Sequence, residues 1–86
     1  MKEQKLTVQL AGKQEDHPVA MLVQIASRYD SHIHLKNGER RVNAKSIMGM
    51  MALGLENGSV LEVTADGPDE DDAAAAVAAY LTGTAQ

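Results

Sequence analysis

The chain contains no cysteine, no tryptophan and no phenylalanine, and only two tyrosines and two prolines in 86 residues. Without cysteine there is no disulfide and no thiolate zinc site, so ordinary side-chain packing has to hold the fold, which fits a reducing cytoplasm. Two aromatic rings leave little for stacking on nucleic-acid bases. No uninterrupted apolar stretch approaches the roughly 20 residues of a membrane span, and the opening MKEQKLTVQL has too little apolar length for a signal peptide. We therefore expect a cytoplasmic protein that is not exported by that route and does not enter a membrane. The apolar content of 44 % is enough for one compact core but not two, so residues 1–86 are expected to form a single domain.

A strong charge of one sign is also missing from most of the chain. The net charge of −4 comes from 12 acids against 8 bases, but Asp66, Asp69, Glu70, Asp71 and Asp72 fall within seven residues. The remainder is nearly balanced. Phosphate neutralisation on nucleic acid needs clustered Lys and Arg, so direct nucleic-acid binding is not expected, and a protein partner or small ligand is.

What is present is alternation and helical spacing in turn. Leu6, Val8 and Leu10 alternate with polar residues and predict a strand over residues 5–10. Asp16 then precedes an apolar-rich run ending at Tyr29, which reads as a helix capped by Asp16, with Pro18 in its first turn and Val19, Leu22, Val23 and Ala26 as the buried stripe. Strands follow over residues 32–36 and 39–43, joined by a hairpin at Asn37-Gly38. Ser46 precedes a short apolar helix closed by Gly54, the serine suited to cap its start and the glycine its end. After an Asn57-Gly58 turn, Leu61, Val63 and Ala65 mark a strand over residues 60–65. Asp69 is expected to cap a last helix whose acidic first turn suits the helix dipole and whose buried face is Ala73, Val77, Tyr80 and Leu81. The order β-α-β-β-α-β-α predicts an α+β open-faced sandwich, a four-stranded, mostly antiparallel sheet with three helices on one face.

Several residues carry chemistry as well as structure. A serine before a helix is a common cap and needs no further role. Ile47 and Met48 are more apolar than a short surface helix requires and are expected to be partly exposed, with Leu53 buried; Met50 and Met51 suit packing as well as docking. His32 and His34 lie two apart on a strand and share a face, but no third ligand is identifiable and no metal site is assigned. The acidic run lacks the spacing of a calcium loop. No nucleophile, base and orienting group occur together, so no catalytic residues, no cofactor and no enzymatic activity are expected.

The segment VNAKSIMGMMALG, residues 42–54, closely resembles the regulatory-serine region of HPr, the small phosphocarrier of the bacterial sugar phosphotransferase system. Residues 18–30, PVAMLVQIASRYD, resemble the first helix of that family with gapless spacing between the two segments, and GPDEDDAAAAVAAYL resembles its last helix. The resemblance covers essentially the whole chain and implies the same element order. It also exposes a departure. HPr proteins read His, any residue, Arg, Pro at the phosphohistidine site, whereas here the positions read Glu15, Asp16, His17, Pro18. Glu15 cannot form a phosphoimidazole, so a relay from enzyme I is not expected to run through it. The Crh branch of the family likewise lacks the relay histidine and keeps the regulatory serine, although Crh typically has glutamine where this chain has Glu15, and the family arginine is here His17.

By this resemblance Ser46 is the phosphorylated residue, HPr kinase/phosphorylase with ATP is the modifying enzyme, and a LacI-type catabolite control protein is the reader. The docking face would comprise Lys45, Ile47, Met48 and Met51. The resemblance thus implies a non-enzymatic regulatory phosphoprotein of carbon-catabolite control. Two other readings stay open: a phosphocarrier using His17, whose neighbours Glu15 and Asp16 would repel an incoming phosphoryl group, and a binding domain of this fold that carries no phosphate.

Overall fold

A computed structural model describes residues 1–10 and 18–83. The elements run β1 (Lys2–Thr7), α1 (Pro18–Ser27), β2 (His32–Asn37), β3 (Arg40–Asn43), α2 (Ile47–Leu53), β4 (Val60–Asp66) and α3 (Glu70–Leu81). The order is the one read from the sequence. The four strands form one sheet in the order β1-β4-β2-β3, and every neighbouring pair is antiparallel, so the sheet is entirely antiparallel rather than mostly so.

Period-two alternation decides which face meets the helices. Ile33 and Leu35 on β2 and Leu61, Val63 and Ala65 on β4 are buried, while His32, Lys36, Glu62 and Asp66 between them are exposed. Helix α3 packs on β4 and β1, α2 packs on β3, and α1 lies against both helices. From α1 the core receives Leu22 and Ala26, with Val19 and Val23 partly buried beside them; from α3 it receives Ala73, Ala74, Val77, Tyr80 and Leu81. These are the expected stripes, with Ala74 added.

Four boundaries and contacts differ from expectation. Strand β1 covers Lys2–Thr7 rather than residues 5–10. Val8 and Leu10 are buried as the alternation requires, but β4 begins at Val60, opposite Thr7, so beyond that point the ladder has run out. The backbone amides of Val8, Gln9 and Leu10 donate instead to Ser59 O, Leu81 O and the Asn57 side chain. The β2–β3 hairpin is one residue later than Asn37-Gly38: Asn37 pairs with Arg40, leaving Gly38 and Glu39 as the turn, with the positive φ of 64° taken by glycine alone. Helix α1 ends at Ser27 rather than at Tyr29 because the next two amides, of Arg28 and Tyr29, bond three residues back, tightening the last turn. Its expected cap, Asp16, lies outside the described residues.

The fourth difference is Asp69. It occupies the N-cap position of α3 but makes no capping bond with its side chain. One carboxylate oxygen accepts from the Ser31 amide at 2.9 Å and from the Ser31 hydroxyl, and the other accepts from the Asp30 amide at 2.9 Å. A local cap gives way to a tie across 38 residues. Ser31 is wholly buried and would otherwise hold unpaired donors, a costlier state than an amide at a helix start that water can reach.

Candidate functional site

Ser46 sits where an extended backbone (φ −101°, ψ 115°) turns into α2. The turn is built from the preceding residues. Ala44 is fully buried and its amide donates to Ile33 O, anchoring the chain to the sheet; Asn43 Oδ1 accepts from the Lys45 amide at 2.8 Å; and Ser46 N donates to Asn43 O at 3.0 Å. The Ser46 hydroxyl oxygen then accepts from Gly49 N at 3.2 Å, the side-chain cap that the sequence predicts. The serine is exposed, so its Oγ is both fixed in direction and open to solvent.

Helix α2 divides its apolar side chains between two sides. Met50 is fully buried, whereas Ile47 is 42 %, Met51 68 % and Met48 79 % exposed. Met50 therefore belongs to the packing and Met51 to the surface, which resolves the two that the sequence left open. Leu53 is only half-buried, packed against the edge of the core rather than inside it, because a seven-residue helix with Met50 inward puts its last turn at the rim. Three large apolar side chains beside one exposed serine make a surface suited to a protein partner.

Two cations brace this helix. Lys45 Nζ donates to Tyr29 O at 2.6 Å, closing the end of α1, and Arg40 Nη1 donates to Ala52 O at 2.9 Å, near the end of α2. Lys45 thus has a structural contact as well as a place beside Ser46. Arg40 was missed by sequence reasoning; it lies 12 residues before its partner, and no spacing rule links a hairpin residue to that carbonyl. Pro18 opens α1, at the end opposite the one Lys45 touches, about 15 Å along the helix axis. It is half-buried, and its carbonyl lies 3.5 Å from the Tyr80 hydroxyl. Glu15 and His17, the other members of the degenerate phosphohistidine site, lie outside the described residues.

The remaining titratable residues sit elsewhere. His32 and His34 project from the sheet face opposite the helices; burial, then Arg41 and then His32 hold the His34 imidazole below its ordinary pKa. Among the described residues no three His, Asp or Glu side chains converge as metal ligands. The acidic run is used internally. Beyond Asp69, Glu70 Oε1 accepts from Gly67 N at 3.2 Å and Lys2 lies 3.3 Å from Asp71. The Ser31 hydroxyl first, and the amide of Asp30 after it, hold the Asp69 carboxyl below its ordinary pKa. Among the described residues no helix is long and apolar enough to cross a membrane.

Comparison with known proteins bears on the family and the fold. The family model described as "PTS HPr component phosphorylation site" matches residues 2–83. The HPr-like protein Crh of Bacillus subtilis is 40 % identical over 81 residues, covering 94 % of this chain and 95 % of Crh. The phosphocarrier protein HPr of Treponema pallidum is 53 % identical over 60 residues, covering 70 % of this chain and 68 % of that protein. A crystal structure of HPr from Thermoanaerobacter tengcongensis superimposes with a TM-score of 0.87 at 36 % identity, covering 98 % of this chain and 94 % of that one. Family members are phosphocarrier proteins rather than enzymes. With matching order, sheet and sequence over nearly its full length, the chain belongs to the HPr family, as a Crh-like member with glutamate at position 15.

Proposed function

We propose that this chain is a regulatory phosphoprotein of carbon-catabolite control, written on at Ser46 and read through the exposed side of α2. The observation that carries the reading is the coincidence of an exposed, oriented Ser46 hydroxyl with Ile47, Met48 and Met51 on the same short helix in a member of the HPr family. HPr kinase/phosphorylase would transfer the γ-phosphoryl group of ATP. A bond forms between Ser46 Oγ and phosphorus, the bond to the ADP leaving group breaks, and the hydroxyl proton passes to a base of the kinase. The product carries about −1.5 to −2 additional charge at neutral pH. That charge would change the surface beside three apolar side chains while Met50 and Ala44 keep the helix seated, so the modification switches recognition and leaves the fold in place. A LacI-type catabolite control protein is the reader this family relationship favours, in the cytoplasm, with Lys45 at the margin of the contact.

Glu15 supplies no imidazole for a phosphoryl relay, so transfer from enzyme I is not part of this reading. The test is intact mass after incubation with HPr kinase and ATP, beside a parallel reaction with enzyme I and phosphoenolpyruvate. The expected result is one acid-stable phosphate, absent in Ser46→Ala. An acid-labile phosphate from the second reaction would make His17 a carrier site and overturn the proposal, and no added mass in either would leave a binding domain without phosphate. Met48→Asp separates docking from folding: it is expected to keep stability within about 0.5 kcal/mol, because Met48 is exposed, and to weaken kinase and partner binding.

A further inference from the structure

The face of the sheet turned away from the helices carries a charge arrangement that the proposed function does not use. The strand register lines up Lys5 of β1, Glu62 of β4, Lys36 of β2 and Arg41 of β3 in one row across the whole sheet. All four are exposed. At about 4.8 Å between strands the row is about 14 Å long. It holds three cations to one carboxylate, in a chain whose net charge is −4. Lys36 and Arg41 stand directly opposite one another, and like charges at directly paired positions destabilise a sheet. Among the described residues none of Lys5, Lys36 and Arg41 forms an ion pair or a side-chain hydrogen bond.

The neighbouring row sharpens the asymmetry. It reads Glu3, Thr64, His34 and Asn43, so the β2–β3 end presents His34 beside Lys36 and Arg41, while Glu3 is at the far end on β1. A concavity of about 430 Å³ adjoins the row, lined by Lys5, Lys36, Asn37, Gly38, Val60 and Glu62. Glu62 faces Lys36 from β4, whereas Arg41 on the edge strand has only Lys36 opposite it; a local conflict of this kind is expected where a surface serves something outside the molecule.

We propose that the β2–β3 end of the open sheet face is a docking site for a carboxylate-rich segment of a protein partner, held by Arg41 and Lys36. The planar guanidinium of Arg41 suits a carboxylate, and Lys36 adds a point charge one strand away. Spacing favours an acidic peptide over a compact phosphate. The cations stand about 10 Å and about 5 Å apart along the row rather than around one point, which suits carboxylates carried on separate side chains, whereas a phosphate needs donors converging on one point. Glu62 lies opposite both Lys5 and Lys36, so the uncompensated positive charge gathers at the β2–β3 end, at Arg41. The site lies across the sheet from α2, so it is independent of Ser46 and can be occupied together with that face.

The experiment is an NMR titration of the full chain with an N-acetylated, C-amidated hexaglutamate peptide at low ionic strength, with inorganic phosphate as a second arm. The expected result is saturable shifts at the amides of His34, Lys36, Arg41 and Glu62, with residues 47–51 unmoved. Salt is expected to weaken the binding, because these charges are exposed. The Lys36→Gln, Arg41→Gln double variant should weaken binding by about tenfold, and its stability should stay near that of the parent, because loss of the Lys36–Glu62 attraction offsets relief of the Lys36–Arg41 repulsion. Absent or unsaturable shifts, shifts centred on residues 47–51, or unchanged affinity in the double variant would overturn the proposal. Equal shifts with phosphate at the same or lower concentration would overturn it as well, by assigning the site to a compact anion.

Discussion

Ser46 and Asp69 occupy the same position in two helices, one residue before α2 and one before α3. Ser46 directs its oxygen to Gly49 N, three residues ahead, and remains exposed. Asp69 directs both oxygens across the fold to Asp30 and Ser31. A glycine close to each in sequence repeats the contrast. A Cβ on Gly67 would stand 2.6 Å from Ser31 Cα, whereas a Cβ on Gly49 would meet its nearest neighbours, Ser46 Oγ and Val42 Cβ, at 3.4 Å. The start of α3 is therefore locked to the β2 entry backbone to backbone, while the start of α2 is self-contained. A self-contained cap can lose its hydroxyl or gain a phosphate at local expense only, and a locked one cannot.

The largest test of that contrast is Gly67→Ala. The added methyl has backbone on its far side, so two segments must separate, and the expected loss is about 2 to 3 kcal/mol in urea unfolding, at the upper end of overpacking effects. A loss below about 0.5 kcal/mol would show that the segments slide apart freely and would remove the lock.

Asp69→Ala is expected to lower the urea midpoint next most, because the buried Ser31 hydroxyl and amide lose their acceptor. The pH dependence gives a second reading of the same tie. Because folding depresses the Asp69 pKa from its ordinary 3.8, the stability it supplies is present above that value and is lost as pH falls through the depressed folded value. The acid limb of a stability-against-pH curve should therefore be shallower in Asp69→Ala and in Asp69→Asn, with Asn losing less at neutral pH since it keeps one acceptor oxygen. An unchanged acid limb in both variants would assign the limb to other carboxylates. Ser46→Ala, by comparison, is expected to cost about 1 kcal/mol, the usual value of a serine cap, with no change in the acid limb. A loss as large as that of Asp69→Ala would mean that Ser46 also holds distant structure.

Why the two starts looked alike in sequence follows from what local rules contain. Capping preference is a statement about a residue and the next three, and at Ser46 nothing within reach competes, so the rule holds. At Asp69 the competing donors come from residues 30 and 31, and no spacing connects them until the sheet has brought β2 beside β4. Leu61, Val63 and Ala65 were legible for the opposite reason: their alternation is local and their burial follows from it. Strand β1 shows the limit of the pattern, since Val8 and Leu10 keep the alternation after the ladder has ended, while Lys2, Glu3 and Gln4 pair with β4 without any apolar signature. Around the candidate site, the exposure of Met48 and the capping by Ser46 could be read along one helix. The braces from Lys45 to Tyr29 and from Arg40 to Ala52 depend on tertiary placement and could not.

The smallest effect, and the one that probes the self-contained start most directly, is Gly49→Ala. Alanine inside a helix is favoured over glycine by about 1 kcal/mol through backbone entropy and helix propensity. Against this stand contacts at 3.4 Å to Ser46 Oγ and to Val42 Cβ, close enough that each neighbour must shift slightly. Both neighbours are side-chain atoms, and the exposed serine can adjust, so the balance is expected to be a net gain below about 1 kcal/mol. The Gly49 amide that donates to Ser46 is retained in the variant, so the cap itself survives. In a Ser46→Ala background the crowding at Oγ disappears and the gain should grow. If Gly49→Ala instead destabilises, and does so equally with and without the Ser46 hydroxyl, then Val42 is the unyielding neighbour and α2 is pressed against β3 more tightly than a helix with an independent start requires.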